Sequence, residues 1–184
     1  MPSLTQKIIQ LVAQDQLRMN ALTCLSSLNL PQGFIAAGFI RNLVWDDLHN
    51  ITKPTPLNDV DVIYFDNKEA KLDKYKDYQA TLNSKMPELN WQVRNQAIMH
   101  NKHGEHPYCS SLDAMRYWPE KETAVAIRML EAGELQCISA FGLKTLFDLQ
   151  LSHNPHRDIA TFTQRIKSKR WLEQWPLLTM KVNP

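Results

Sequence analysis

The chain has 184 residues, 43% of them hydrophobic, enough to bury a sizeable core in one domain. Its net charge of +2 argues against binding along extended nucleic acid, which depends on many basic contacts, and no apolar run nears the roughly 20 residues that span a bilayer. Cys24, Cys109 and Cys137 are far apart with no Cys-x-x-Cys pair, so they suggest neither a disulfide framework nor a structural zinc site; without a leader-like N-terminus, the expectation is a soluble cytoplasmic protein with no membrane partner.

Residues 3–28 read as one helix or two, opened by a capping box at Ser3 and Gln6. Ile8, Leu11 and Val12 make one apolar stripe, and Leu17, Ala21, Cys24, Leu25 and Leu28 a second. Phe34 to Ala37 run as an apolar strand into Gly38, and from Phe39 the apolar Leu43 and Val44 recur at helical spacing. This predicts strand, tight turn and helix with Gly38 as the hinge, where a glycine permits torsions denied to other residues and lets a ligand approach the backbone. The free N–H groups of such a helix start favour phosphate, and Arg41 in its first turn offers a planar fork for one. Asn50 to Asn58, with Pro54 and Pro56, form a loop beside this turn.

Next comes the run Asn58-Asp59-Val60-Asp61-Val62-Ile63-Tyr64-Phe65. Extended backbone alternates faces, so Asp59 and Asp61 share one face while Val60, Val62 and Tyr64 take the other. Two carboxylates so close repel unless a cation lies between them, which points to a metal-binding strand. Residues 68–86 read as an amphipathic helix through Leu72, Tyr75, Gln79 and Leu82, limited by Pro87, and Trp91 to Arg94 as a further strand.

The second half continues with a polar loop holding His100, His103 and His106, then a helix capped by Ser111 through Tyr117. Thr123–Met129 and Leu135–Ser139 pair as a hairpin across the turn at Gly133, and Phe141–Leu151 reads as helix. In the basic C-terminal stretch, Phe162, Ile166, Trp171 and Trp175 are expected to pack inward while Arg165, Lys167, Lys169 and Arg170 stay solvated. An α+β domain with a mixed sheet and flanking helices fits this order of elements.

A glycine turn opening a helix, followed by an Asp-hydrophobic-Asp-hydrophobic strand, resembles the nucleotidyltransferase superfamily that includes DNA polymerase beta, the CCA-adding enzymes and the antibiotic nucleotidyltransferases. Gly38-Phe39-Ile40-Arg41-Asn42, Asp59-Val60-Asp61, Trp91-Gln92-Val93-Arg94-Asn95-Gln96 and Ala140-Phe141-Gly142-Leu143 are similar to a family of small bacterial nucleotidyltransferase-like proteins of unassigned substrate. The resemblance implies one nucleotidyltransferase-like domain over 1–184, with an N-terminal helical segment at 1–30 and a core at 31–175. It implies Asp59 and Asp61 as the catalytic and metal-binding carboxylates for Mg2+ or Mn2+, with a nucleoside triphosphate as substrate. Gly38, Phe39, Arg41, Asn42, Arg94, Asn95 and Gln96 become substrate-binding candidates.

Two positions depart from the superfamily pattern. Phe39 stands where a second small residue is usual, and Gln92 lies on the strand that commonly supplies a third carboxylate. Asp66, Glu88, Asp113 and Glu122 are candidates for that place, and spacing does not choose among them. The expected reaction moves a nucleoside monophosphate from a triphosphate to a small molecule, a protein or an RNA end. A nucleotide-sensing or partner-binding protein without turnover is the alternative.

Overall fold

The computed structural model describes residues 2–102 and 104–182. Helix α1 (Leu4–Ala13) opens on the predicted capping box, in which the Ser3 hydroxyl accepts from the Gln6 N–H and the Gln6 side chain accepts from the Ser3 N–H. Helix α2 (Gln16–Ser26) starts afresh at Asp15, whose carboxylate caps Arg18 N–H at 3.0 Å. Ile8 and Val12 on α1 and Ala21, Cys24 and Leu25 on α2 are buried, whereas Leu17 is exposed.

Strand β1 (Phe34–Ala36) leads into α3 (Gly38–Leu48), followed by β2 (Val60–Tyr64), α4 (Lys74–Lys85) and β3 (Trp91–Asn95). A 3-10 turn at Gln96–Lys102 precedes α5 (Ser111–Met115), and the hairpin is β4 (Val125–Met129) with β5 (Leu135–Ser139). The chain ends in α6 (Lys144–Phe147), β6 (Gln150–Ser152), α7 (Ile159–Lys169), α8 (Trp171–Gln174) and β7 (Thr179–Lys181). The main sheet has order β3-β2-β1-β4-β5, antiparallel except for the parallel β2–β3 pair, which gives the mixed α+β architecture expected.

Alternation along β2 decides which side of this sheet is chemical. Val60, Val62 and Tyr64 are fully buried with Ile35, Trp91 and Val93 in the main core. Burying one such aliphatic side chain contributes about 1.5–3 kcal/mol, so the register cannot slip without turning these residues to the wrong face. Ile63 packs on the opposite face with Phe34, Ala36 and Ala126, and Asp61, two residues before it, stands on that same face.

Three predicted elements differ from those observed. The helix of 68–86 begins only at Lys74, leaving Leu72 exposed before it. Ser110, not Ser111, caps α5; the Ser111 hydroxyl is buried and donates to Gln32 O at 2.9 Å. The helix predicted over 141–151 is cut to α6, because Leu149 adopts φ 55° and the chain turns into β6 to pair with β7.

Candidate active site

The bend between β1 and α3 is carried by Ala37, with φ 57° and ψ −121°. Gly38 is the first helical residue and has no positive φ, so the conformational role expected of it belongs to its neighbour. Ala37 is held there by donating its N–H to Val125 O at 2.9 Å and accepting from Arg41 N–H at 3.0 Å. What Gly38 supplies is room: a Cβ there would sit 3.5 Å from both Arg41 Nη2 and Asn42 Nδ2. Phe39, a substrate-binding candidate in the sequence, is instead fully buried in the core, its ring 5.4 Å from the Arg18 guanidinium and its carbonyl accepting from Arg18 Nε at 2.8 Å. That contact anchors the start of α3 to α2.

Beyond the bend lies a cavity of about 470 Å³ between the second face of the sheet, α3, the 55–58 loop and the C-terminal helices. Asp61 on β2 and Asp59, which the strand predicted from the sequence included but which lies one residue before β2 begins, both line it. Asn90 Nδ2 donates to Asp59 Oδ1 at 2.7 Å. The Asp61 carboxylate has no hydrogen bond or ion pair among the described residues, and its pKa is raised, first by burial and then by the charge of Asp59. Facing this pair are Arg41, Arg94, Arg165 and Lys169; Arg165 is ion-paired with the buried Glu120 at 2.6 Å, which leaves Arg41, Arg94 and Lys169 without a carboxylate partner among the described residues.

Arg41 is buried, with its guanidinium carbon 4.3 Å from the ring centre of Trp171 and 5.1 Å from that of Trp45. It donates to Thr123 Oγ1 at 2.8 Å and, through Nη2 and Nε, to Asn42 Oδ1 at 2.9 and 3.2 Å. No carboxylate pairs with it among the described residues. Desolvation lowers its pKa to about 10, which leaves it charged at neutral pH. A buried guanidinium stacked on indoles and lacking a counter-ion is an anion site in waiting.

Other candidates are sorted by the same geometry. Gln96 and Arg94 line the cavity, although Arg94 already donates to Val93 O and Gln92 Oε1. Asn95 does not reach it: its side-chain oxygen accepts from the N–H groups of Asp66 and Ala97, and its nitrogen donates to Asp66 O and Glu69 Oε2. It is therefore corrected from substrate contact to structural amide. None of Asp66, Glu88, Asp113 and Glu122 lines the cavity, whereas Gln92 does, paired in register with Asp61. Of the polar histidine loop, His103 lies outside the described residues, and His100 packs on Tyr108 with ring centres 5.9 Å apart.

One hydrogen-bonded hub holds the cavity wall together. Buried Asp46 accepts from Thr55 N–H and Thr55 Oγ1, each at 2.7 Å, and from Trp175 Nε1 at 2.8 Å. Gln174 Nε2 donates to Thr55 Oγ1 at 3.1 Å. The proline-rich loop is thereby fastened both to α3 and to the last helix.

The profile of a nucleotidyltransferase family matches residues 23–180, which span every element that lines this cavity. The chain belongs to that family. Among solved structures this nucleotidyltransferase is similar to an NMR structure described as a CCA-adding enzyme head domain, with 28% identity and a TM-score of 0.84 over 97% of this chain and 96% of the other. Two tRNA-processing enzyme structures share the fold at 16% and 15% identity, with TM-scores of 0.52 and 0.51 over 88% and 98% of this chain. This nucleotidyltransferase spans only 43% and 45% of those two longer chains. No curated protein sequence matches it significantly.

The donors present suit a hard divalent cation. Asp59 and Asp61 offer carboxylate oxygens without an ion-paired partner among the described residues, and the raised pKa of Asp61 marks a position where added positive charge is favourable. Among the described residues no group of three or more histidine, cysteine, aspartate or glutamate side chains could hold a metal, so substrate phosphates and water would complete the shell. Sequence reading left Arg165, Lys169, Trp118 and Trp171 out of the site. For the first two, the i,i+4 spacing that puts them on one stripe of α7 was the available signal; nothing local said that this stripe faces Asp61 rather than water.

Proposed function

We propose that this protein is a metal-dependent nucleotidyltransferase that moves a nucleoside monophosphate from a nucleoside triphosphate to an acceptor. The observation that carries the reading is that two carboxylates outside any ion pair among the described residues, Asp59 and Asp61, share one cavity with Arg41 and Lys169. A triphosphate bound with one divalent ion is a dianion, and the excess of cations over carboxylates in the lining complements it.

Asp59 and Asp61 hold Mg2+ or Mn2+, which when bound supplies charge neutralisation on the phosphates. Arg41 binds the β or γ phosphate from within its indole stack, and the bare backbone at Gly38 lets that phosphate come close. An acceptor oxygen bonds to the α-phosphorus, the bond from that phosphorus to the α–β bridging oxygen breaks, and pyrophosphate leaves. Asp59 and Asp61 are the only carboxylates among the described residues lining the cavity; as oxygen donors to the ion both would be ionised, and the acceptor's proton passes to the solvent to which the cavity opens. The acceptor is a small molecule, a protein or an RNA end; the similarity to a CCA-adding enzyme head domain supports keeping RNA among them.

A second reading has its own observation. Gln92, a neutral amide, occupies the register position beside Asp61, and the described residues lining the cavity include two acids only, which suits a nucleotide-binding protein without turnover. Labelled triphosphates with Mg2+ or Mn2+ and cell extract separate the two. Label transfer or pyrophosphate release supports the enzyme; saturable binding with neither supports the sensor and overturns transfer.

A further inference from the structure

Along the site face, Asp59 just before β2 is followed by Asp61 and Ile63 on the strand, while β3 presents Gln92 beside Asp61 and Arg94 beside Ile63. The face continues from Arg94 into Gln96 and Met99 of the 3-10 turn, and all of these line the same cavity. The charged end, with the carboxylates and Arg41, therefore passes into an end of different chemistry. There Trp118 packs against the small cluster that contains Ile63 and Ala37.

Trp118 differs from the other indoles at this cavity. Trp171 is buried with one face on Arg41, and Trp175 is buried and hydrogen-bonded to Asp46. Trp118 is half-buried; its ring has no aromatic or cationic partner and its Nε1–H no acceptor among the described residues. In the same cavity lining, the buried Gln96 amide makes a single long bond, Nε2 to Arg94 O at 3.5 Å, and its Oε1 has no donor among the described residues. An unpartnered indole face and an underused carboxamide lining one cavity are the combination that stacks a nucleobase and reads its edge.

We infer that Trp118 and Gln96, with Met99, form the nucleobase subsite of this cavity: the base of the incoming nucleotide stacks on Trp118 and its hydrogen-bonding edge meets Gln96. The inference rests on the reading of the site as a nucleoside triphosphate site and adds what selects the base. Stacking is indifferent to base identity, whereas an amide is not, so Trp118 governs affinity and Gln96 governs preference.

Calorimetry with Mn2+ on the full chain tests this with four nucleoside triphosphates and with inorganic tripolyphosphate, which has no base. In Trp118→Leu the best-bound nucleoside triphosphate loses at least about fivefold in affinity, as expected for one lost stack, while tripolyphosphate binds as in the wild type. Trp118→Phe keeps a ring and retains most of the affinity, and Gln96→Leu narrows the spread among the four bases. Equal losses for nucleotide and tripolyphosphate in Trp118→Leu, or no loss for either, overturn the subsite. Wild-type protein that binds tripolyphosphate as tightly as every nucleotide overturns the subsite but leaves the phosphate and metal site standing. Wild-type protein that binds neither overturns both.

Discussion

Arg41 and Trp171 lie 130 positions apart in the chain, yet the guanidinium carbon of the first stands 4.3 Å from the ring centre of the second. The contact joins the first turn of α3 to the start of α8, and it fixes a cation inside the cavity without neutralising it. A cation–π contact of this kind, desolvated, is worth about 2 kcal/mol, less than a paired charge, so the arginine stays available to an anion.

Replacing Arg41 by Lys keeps the charge and removes both the planar fork and the stack. Tripolyphosphate affinity, measured by calorimetry with Mn2+, is expected to fall about tenfold, and nucleoside monophosphate affinity by less. Equal losses would move Arg41 out of the β and γ phosphate position.

Gly38→Ala separates room from conformation. Because Gly38 has no positive φ and the added Cβ meets its nearest neighbours at 3.5 Å, folding stability should change by no more than about 1 kcal/mol in urea denaturation, while triphosphate binding weakens. Ala37→Gly is the complementary change: relieving φ 57° should stabilise the protein by about 1 kcal/mol.

Asp61 gives the site a pH dependence whose sign is set by burial. Its pKa is raised in the folded state, so its contribution to stability is present below the unfolded carboxylate range and is lost as pH rises through the folded value. The metal-free protein should therefore melt lower as pH rises through that window, while Mn2+ affinity increases because the proton leaves. Asp61→Asn should flatten the stability trend and raise stability by about 0.5–1 kcal/mol. The double variant Asp59→Asn with Asp61→Asn should abolish Mn2+-dependent triphosphate binding; calorimetry showing unchanged binding would remove the metal from the site.

Gln92→Glu adds a carboxylate beside Asp61 across the parallel register. Like charges there should destabilise the metal-free protein by about 1 kcal/mol and tighten Mn2+ binding severalfold, read by denaturation and by calorimetry.

Asp46→Ala removes an acceptor that serves three donors. Stability should fall by about 3 kcal/mol, and limited proteolysis should open both the 51–58 loop and the segment after Trp171, because Thr55 and Trp175 lose the same partner. Cleavage confined to one segment would show that the hub does not couple them.

Much of the scaffold was readable from local pattern. The capping box at Ser3 and Gln6, the hairpin of β4 and β5, and the inward set Phe162, Ile166, Trp171 and Trp175 all appear as expected. Each depends on neighbours within a few residues or on a period of 3.6 or 2. The failures sit where distant partners overrule propensity: 141–151 gives up its helix to pair β6 with β7, and Asn95 spends its amide on Asp66 and Glu69.

By itself the sequence determined that Asp61 alternates with Val60 and Val62 on a strand entered from Asp59, and that a strand turning near residue 38 opens a helix bearing Arg41, because side-chain alternation and helix spacing are properties of the local backbone. Only the tertiary structure decided that Arg165 and Lys169 face those carboxylates, that Gln92 stands beside Asp61, and that Phe39 turns into the core. Those outcomes depend on how strands align in register and which helix face meets which wall. Such choices are made by burial summed over residues far apart in the chain, which no short window of sequence contains.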